Sequence, residues 1–260
     1  MQPEPTTETL VFVACVSDSD VVAQRLLASP CLQAGGHKLI THRNSQSAAD
    51  AFNTTLRGLG SHKGDHGSNC GGDQGANTWL VWVHQDVYLP LGWDTHFVQG
   101  LQAARAVFPQ LAVVGVHGVA GAGALACRAG HVLDRGTELR ESSALPCLVD
   151  SLDELLFAVR VCSGLTLDPA LGWDFYGTDV VLQARAVGLQ SAVIDAYCEH
   201  WSDTPTQGAM PAKLVQRILA SAATFEKKWQ QHFPITTPCF DIAQQGDVQK
   251  FVDRFVVPVP

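Results

Sequence analysis

The chain has 260 residues, of which 46% are hydrophobic and only 16% charged, so it excludes a disordered or fibrous protein and can bury a large core without disulfides or a structural metal. Asp and Glu number 25 against 17 Lys and Arg, a formal charge of −8 with no basic block, which argues against nucleic acid as a partner. No apolar run approaches the ~18 residues of a membrane span, and the opening MQPEPTTETL has no basic segment ahead of an apolar one. Neither a transmembrane helix nor a signal peptide is expected, and the expected compartment is the cytoplasm.

Residues 1–9 read as a flexible N-terminus. Leu10–Val16 (LVFVACV) is a continuous apolar run, the pattern of a strand buried on both faces. Ser17-Asp18-Ser19-Asp20 is a cluster of cap formers ahead of VVAQRLLAS, whose apolar residues recur at helical spacing. Lys38–Thr41 is a short second strand and Ser47–Leu59 a second helix, which gives the strand–helix alternation of an α/β fold. Gly60–Asn77 is rich in Gly, Ser and polar residues and reads as a flexible loop insertion. It carries His62, Asp65, His66, Cys70 and Asp73 without apolar residues to fix them.

The strongest strand is Trp79–Val83 (WLVWV), which ends in His84-Gln85-Asp86 and is followed by a helix from about Trp93 to Phe108. Leu111–Val116 is a fourth strand. The glycines after it, Gly118, Gly121 and Gly123, do not spell a dinucleotide fingerprint. His131–Arg135, Cys147–Asp150 and Glu154–Val161 read as further extended pieces, Phe175–Gly188 as a helix with an acidic first turn, and Ser191–Tyr197 as a strand that leads into Cys198-Glu199-His200. From Pro211 the chain reads as a helical tail whose apolar Leu214, Ile218, Leu219 and Phe225 suit packing on the core or, in a homo-oligomer, against a second copy. The eight cysteines are scattered singly with no C-x-x-C pair, mostly inside apolar runs, which favours reduced, buried thiols.

Ligands of open α/β sheets bind beyond the carboxyl ends of the strands, which places Ser17, Asp18, Asn44, His84, Asp86, His117, Glu199 and His200 on the edge that carries function. A carboxylate directly after a buried strand, as at Asp86, can hold Mn²⁺ or Mg²⁺ against a diphosphate, and its other use is to cap the turn before Pro90. Asp179 either stabilises a helix N-terminus or serves as a general base at the mouth of the sheet.

Four segments in order, WLVWVHQDVYLP, LPCLVDSLDELLFAVR, LDPALGWDFYGTDVVLQARAVGL and CEHWS, resemble the family 2-like glycosyltransferases of the streptomycin-biosynthesis StrF-domain type. The resemblance spans roughly Leu10–Ser202. It implies a GT-A fold over residues 10–205, a mostly parallel central sheet flanked by helices, with 206–260 a helical extension packed on it. It also implies a nucleotide-sugar donor, a hydroxyl acceptor, a divalent Mn²⁺ or Mg²⁺ and inversion at the anomeric carbon. Carried onto this chain, Asp86 matches the second acid of the D-x-D metal motif and His84 stands where the general pattern has the first, while His200 matches a third metal contact. Asp179 matches the base, with Thr178 in place of the preceding Glu. Ser17, Asp18, Asn44 and Asn53 fall on the donor side, and Trp173 and Asp174 are implied acceptor contacts. The alternative is a nucleotide- or sugar-binding module of the same fold without turnover. A metal-dependent hydrolase is disfavoured because no H-E-x-x-H or H-x-H spacing is present.

Overall fold

A computed structural model describes residues 8–34, 36–60, 77–202 and 210–255. The first half runs β1 (Thr9–Cys15), α1 (Ser19–Gln24), α2 (Pro30–Gln33), β2 (Lys38–His42), α3 (Ala48–Gly60), β3 (Thr78–Val83), β4 (Val87–Tyr88), α4 (Trp93–Val107) and β5 (Leu111–Gly115). It continues through β6 (His117–Ala120), β7 (Cys127–Asp134), β8 (Thr137–Arg140), β9 (Cys147–Leu148), β10 (Ser151–Leu152) and β11 (Leu156–Arg160). The last part holds α5 (Tyr176–Ala186), β12 (Gln190–Val193), β13 (Cys198–His200), α6 (Ala212–Trp229), β14 (Ile235–Thr236), β15 (Asp241–Ile242) and α7 (Asp247–Val252). Residues 61–76, which hold nearly all of the expected flexible loop with its His, Asp and Cys, lie outside the described residues, as do 1–7.

The larger sheet has the order β2-β1-β3-β11-β5-β12-β9. It is mixed rather than mostly parallel: β1–β2, β1–β3 and β5–β12 pair in parallel, whereas β11 runs antiparallel to both β3 and β5, and β9 antiparallel to β12. The run LLFAV is apolar on both faces, a pattern that is identical for either strand direction, so the sequence carries no sign of the reversal.

The period-2 alternation sorts side chains between two cores. Phe12, Ala14, Trp79 and Val81 face α4 with its buried Phe97 and Leu101; Val11, Val13, Leu80 and Trp82 face α3 and α5 with Phe52, Tyr176 and Val180. Glu8, within the expected flexible N-terminus, is buried and accepts from Trp79 Nε1 and pairs with Arg105, so the ordered chain starts at least there.

A second sheet runs β10-β6-β7-β13-β4, with β8 on β7. The strand expected at Ser191–Tyr197 is shorter: β12 ends at Val193 in the larger sheet, and the Cys198-Glu199-His200 that follows forms β13 in the second. Ile194 and Ala196 remain buried across the switch, so the apolar run shows no break where the chain changes sheets.

The C-terminal part is not wholly helical, since the β14–β15 hairpin lies between α6 and α7. Ile218, Ala222, Phe225 and Trp229 of α6 pack on Leu171, Phe175 and Leu182, so the amphipathic stripe is covered by the chain itself. Truncating a buried aromatic of this kind costs about 3–5 kcal/mol, enough to dock the extension firmly. Among the described residues no helix is long and apolar enough to cross a membrane.

Candidate metal centre

β3 delivers His84-Gln85-Asp86 to the edge of the larger sheet, and β4 starts immediately afterwards in the second sheet. The antiparallel pairing of β4 with β13 sets His200 opposite Val87, and Trp201 N donates to Asp86 O at 3.0 Å. Two segments more than a hundred residues apart thereby converge. One ligand-capable atom from each of His84, Asp86 and His200 lies within 4.8 Å of the others.

Each of the three is held differently. His84 N donates to Leu155 O at 2.9 Å, and its Nε2 lies 2.8 Å from Tyr176 Oη. His200 Nδ1 is fixed by Asp134 Oδ1 at 2.8 Å, an orientation supplied by the parallel register that pairs His200 with Asp134. A carboxylate behind an imidazole is the usual support of a metal-binding histidine. Its Nε2 approaches Asp86 Oδ1 to 3.4 Å, yet both atoms are buried and neither has a hydrogen-bond partner among the described residues. Buried polar atoms normally find partners, so two that face one another unsatisfied fit a cation between them.

The electrostatics divide the two histidines. Burial drives the His84 imidazole down to about 4, so it is neutral near pH 7. Burial acts on His200 in the same sense but is outweighed by Asp134 and Asp86, which raise it to about 9. Asp86 is held below the usual carboxylate range because His200 above all overcomes the effect of burial. The cluster thus already stores one positive charge against its carboxylates, which a divalent ion can replace.

His84 borders two clefts. The β1 cleft, about 790 Å³, is ringed by Ser17, Arg43, Asn44, Gln85, Asp86 and Trp173. The α6 cleft, about 490 Å³, is bounded at its inner end by His84, Asp153, Glu154 and Thr178. Both volumes lie within the ~300–1,000 Å³ typical of small-molecule sites.

The remaining expected site residues separate on inspection. Ser17 Oγ accepts from Gln85 Nε2 at 2.8 Å, and Gln85 Oε1 accepts from the backbone of Ser17 and Asp18, which clips the β1–α1 turn to the centre. Asp18, expected on the donor side, does not line the β1 cleft: it is exposed, and its carboxylate caps α1 through Asp20 N and Val21 N. Asn44 takes a left-handed φ of 58° at the β1 cleft. Asn53 faces away from it and exchanges two hydrogen bonds with Leu167, at 2.8 and 3.0 Å, where its amide serves to hold a loop.

Trp173 stands on the β1 cleft rather than with the acceptor residues of the other side. Asp174 does line the α6 cleft, clamped by two bonds from Arg217 and one from Ser221.

Asp179, expected as the base, is 0% exposed and borders neither cleft. Its Oδ1 accepts from Trp229 Nε1 and Lys228 Nζ, both at 2.7 Å, and its Oδ2 from Gln183 Nε2 at 2.6 Å. Oδ1 joins α5 to α6, and Oδ2 is held within α5 by Gln183.

Glu154, overlooked in the sequence inside an apparent strand, occupies the turn between β10 and β11 at the inner end of the α6 cleft. Among the described residues its side chain accepts one bond, from Gly177 N at 3.3 Å, and burial, then the charge of Asp174, raises its carboxyl well above the ordinary range. Gly177 is required here: a Cβ would meet Leu152 O at 2.8 Å and Glu154 Cγ at 3.0 Å. Asp134 was equally hidden, since nothing in HVLDR marks the aspartate that will orient a histidine 66 residues later.

No known family model matches the chain. Among curated proteins it is 29% identical over 133 residues to the "ATP synthase subunits region ORF 6" protein of Fuscovulum blasticum, a match that covers 47% of this chain and 51% of that one. The chain therefore spans about half the length of the curated relative it matches. Among solved structures it is similar to GalNAc-T7, crystallised with UDP, GalNAc and Mn²⁺, with a TM-score of 0.42 and 12% identity over 74% of this chain and 44% of that chain.

Proposed function

We propose that the chain is a metal-dependent inverting glycosyltransferase of the GT-A kind, with a nucleotide-sugar donor in the β1 cleft and a hydroxyl acceptor in the α6 cleft. The observation that carries this reading is the His84–Asp86–His200 cluster, with its two unsatisfied buried atoms, placed so that His84 lines both ligand-sized clefts and Asp86 lines the β1 cleft. A group transfer needs two substrates to meet at one point, and a cation site at that point suits a phosphate leaving group.

Asp86, His200 and His84 would hold the ion. When bound, a divalent cation supplies charge neutralisation for the departing diphosphate. Two imidazoles beside one carboxylate suit Mn²⁺ better than Mg²⁺, which prefers oxygen donors. On the donor side Ser17 and Asn44 offer polar contacts, and the guanidinium of Arg43 faces the same cleft.

The attacking hydroxyl oxygen bonds to the anomeric carbon as the bond from that carbon to the diphosphate oxygen breaks, and the electron pair leaves with the diphosphate. The hydroxyl proton must pass to a base on the acceptor side. Asp179 has no spare oxygen and Asp174 is clamped by Arg217, so the proton is assigned to Glu154. A cleft carboxylate whose proton affinity is raised by burial is suited to accept a proton as a general base.

Thermal unfolding with UDP, GDP or dTDP tests the metal half of this reading. Stabilisation in Mn²⁺ should exceed that in EDTA by about 2.7 kcal/mol at a ligand concentration ~100 times Kd. Asp86→Ala should abolish the difference; a difference that survives the substitution overturns the assignment of the metal to this cluster.

A further inference from the structure

The α6 cleft has a polar inner end and an apolar outer wall, and this division defines what it can hold. Beyond Glu154, rings follow one another toward the mouth. Phe175 stacks on Phe240 with centroids 5.4 Å apart, Phe240 meets Phe251 edge-on at 5.1 Å, and Phe251 meets Phe255 at 5.2 Å. Leu214 and Ile218 of α6 contribute further apolar lining, and Phe255 at the mouth is 39% exposed. A contiguous row of aromatic rings leading outward from a carboxylate is more apolar than a hydrophilic sugar alone would need, and contiguous apolar linings of this kind mark sites that an apolar ligand covers.

The inner end offers hydroxyl-sized contacts. Among the described residues the Glu154 side chain accepts one bond and has acceptor capacity to spare, and neighbouring Asp153 uses Oδ1 to accept from Leu155 N. Arg217 neutralises Asp174, which lowers the local charge that would otherwise favour a cationic ligand.

We infer that the α6 cleft binds a hydroxyl-bearing amphiphile, with a sugar- or polyol-like head at Glu154 and an alkyl body along Phe240, Phe251 and Phe255. Combined with the transferase reading, on which its role in the reaction rests, this makes the acceptor a glycolipid-like alcohol rather than a free sugar. Each methylene laid against the aromatic wall adds about fourfold to affinity, so a tail of eight carbons outweighs the head in binding while the head sets the orientation.

Calorimetric titration of the full chain in EDTA, without donor, tests the binding itself. The probes are methyl β-glucoside and octyl β-glucoside, the latter kept below its critical micelle concentration. Octyl glucoside should bind at one saturable site at least ~100-fold tighter than methyl glucoside. The double variant Leu214→Ala/Phe255→Ala, at positions not closed inside the core, should retain the wild-type melting temperature and lose at least tenfold of that preference. Glu154→Ala should weaken octyl glucoside while leaving octanol, which has the tail without the sugar, unchanged.

Equal affinity for the two glucosides, unsaturable uptake of the octyl probe, or full discrimination in the double variant would overturn the inference. Because no donor or metal enters this titration, its failure is distinct from that of the transferase reading, which the Mn²⁺-dependent stabilisation by nucleotides reports separately.

Discussion

Two buried carboxylates, Asp86 and Asp179, sit at opposite ends of the same reasoning. Each follows an apolar segment, and each resembles a residue that carries chemistry. Asp179 has three donors on two oxygens at 2.6–2.7 Å and no access to either cleft. Asp86 lines the β1 cleft and has one oxygen with no hydrogen-bond partner among the described residues, facing the equally unsatisfied Nε2 of His200. The lesson is that burial alone does not distinguish a clasp from a site; the count of satisfied lone pairs does. Folding satisfies polar groups wherever it can, and groups left open at a cleft are open to a ligand.

Glu154 supplies the sharpest test of this contrast, because it lines the α6 cleft and is held by a bond from Gly177 N rather than clasped between helices. On whichever donor the nucleotide screen identifies, Glu154→Gln should lower turnover by about 10²–10⁴-fold while nucleotide affinity is kept. Its stability at neutral pH should be equal to or higher than wild type, since an amide removes the cost of burying a carboxylate whose proton affinity is raised in the fold. Unchanged turnover would remove Glu154 as the base.

Asp179→Ala should do the reverse. It strands Trp229 Nε1 and leaves Gln183 Nε2 with Thr166 O and Lys228 with Asp168, a loss of about 3–5 kcal/mol and a melting temperature lower by roughly 10 °C. The added stability conferred by nucleotide with Mn²⁺ should persist in this variant. A variant of wild-type stability with abolished turnover would show that Asp179 is the base after all.

The smallest effect lies in pH, and the two histidines oppose one another. His84 is shifted down to about 4 from 6.5, so the unfolded chain binds its proton more readily, and stability of the metal-free protein rises as pH increases from 4 to 6.5. His200 is shifted up to about 9, so its contribution is complete below 6.5 and is lost as pH rises through 9. Metal binding must displace the His200 proton, and apparent Mn²⁺ affinity should therefore rise toward tenfold per pH unit up to about 9. Melting temperatures in EDTA and Mn²⁺ titrations across pH 4–9.5 read both trends; a flat Mn²⁺ affinity in the upper range would exclude His200 as a ligand.

Much of the site could be read along the chain. The end of β3 was marked by WLVWV giving way to HQD, and Cys198-Glu199-His200 stood at the end of another apolar run. Both were recognisable because an abrupt change from apolar to polar residues is local. Glu154 was hidden for the same reason: beside LLFAVRV it read as the first residue of a strand, whereas β11 starts at Leu156 and leaves it in a turn. The partner of Asp179 could not be read at all, since Trp229 is 50 residues away on a helix whose docking face is set by the whole core.

The sequence by itself marked β1, β2, β3, β5 and β11, the main helices, the net acidic charge and His84, Asp86 and His200 as polar residues at the ends of apolar runs, because apolar periodicity and net charge are properties of short stretches. The tertiary structure alone decided that β11 runs antiparallel, that β12 and β13 belong to different sheets, that Asp134 orients His200 and that Asp179 is a clasp. Each of these depends on which distant segments pair, and a side chain carries no local record of the partner that will satisfy it.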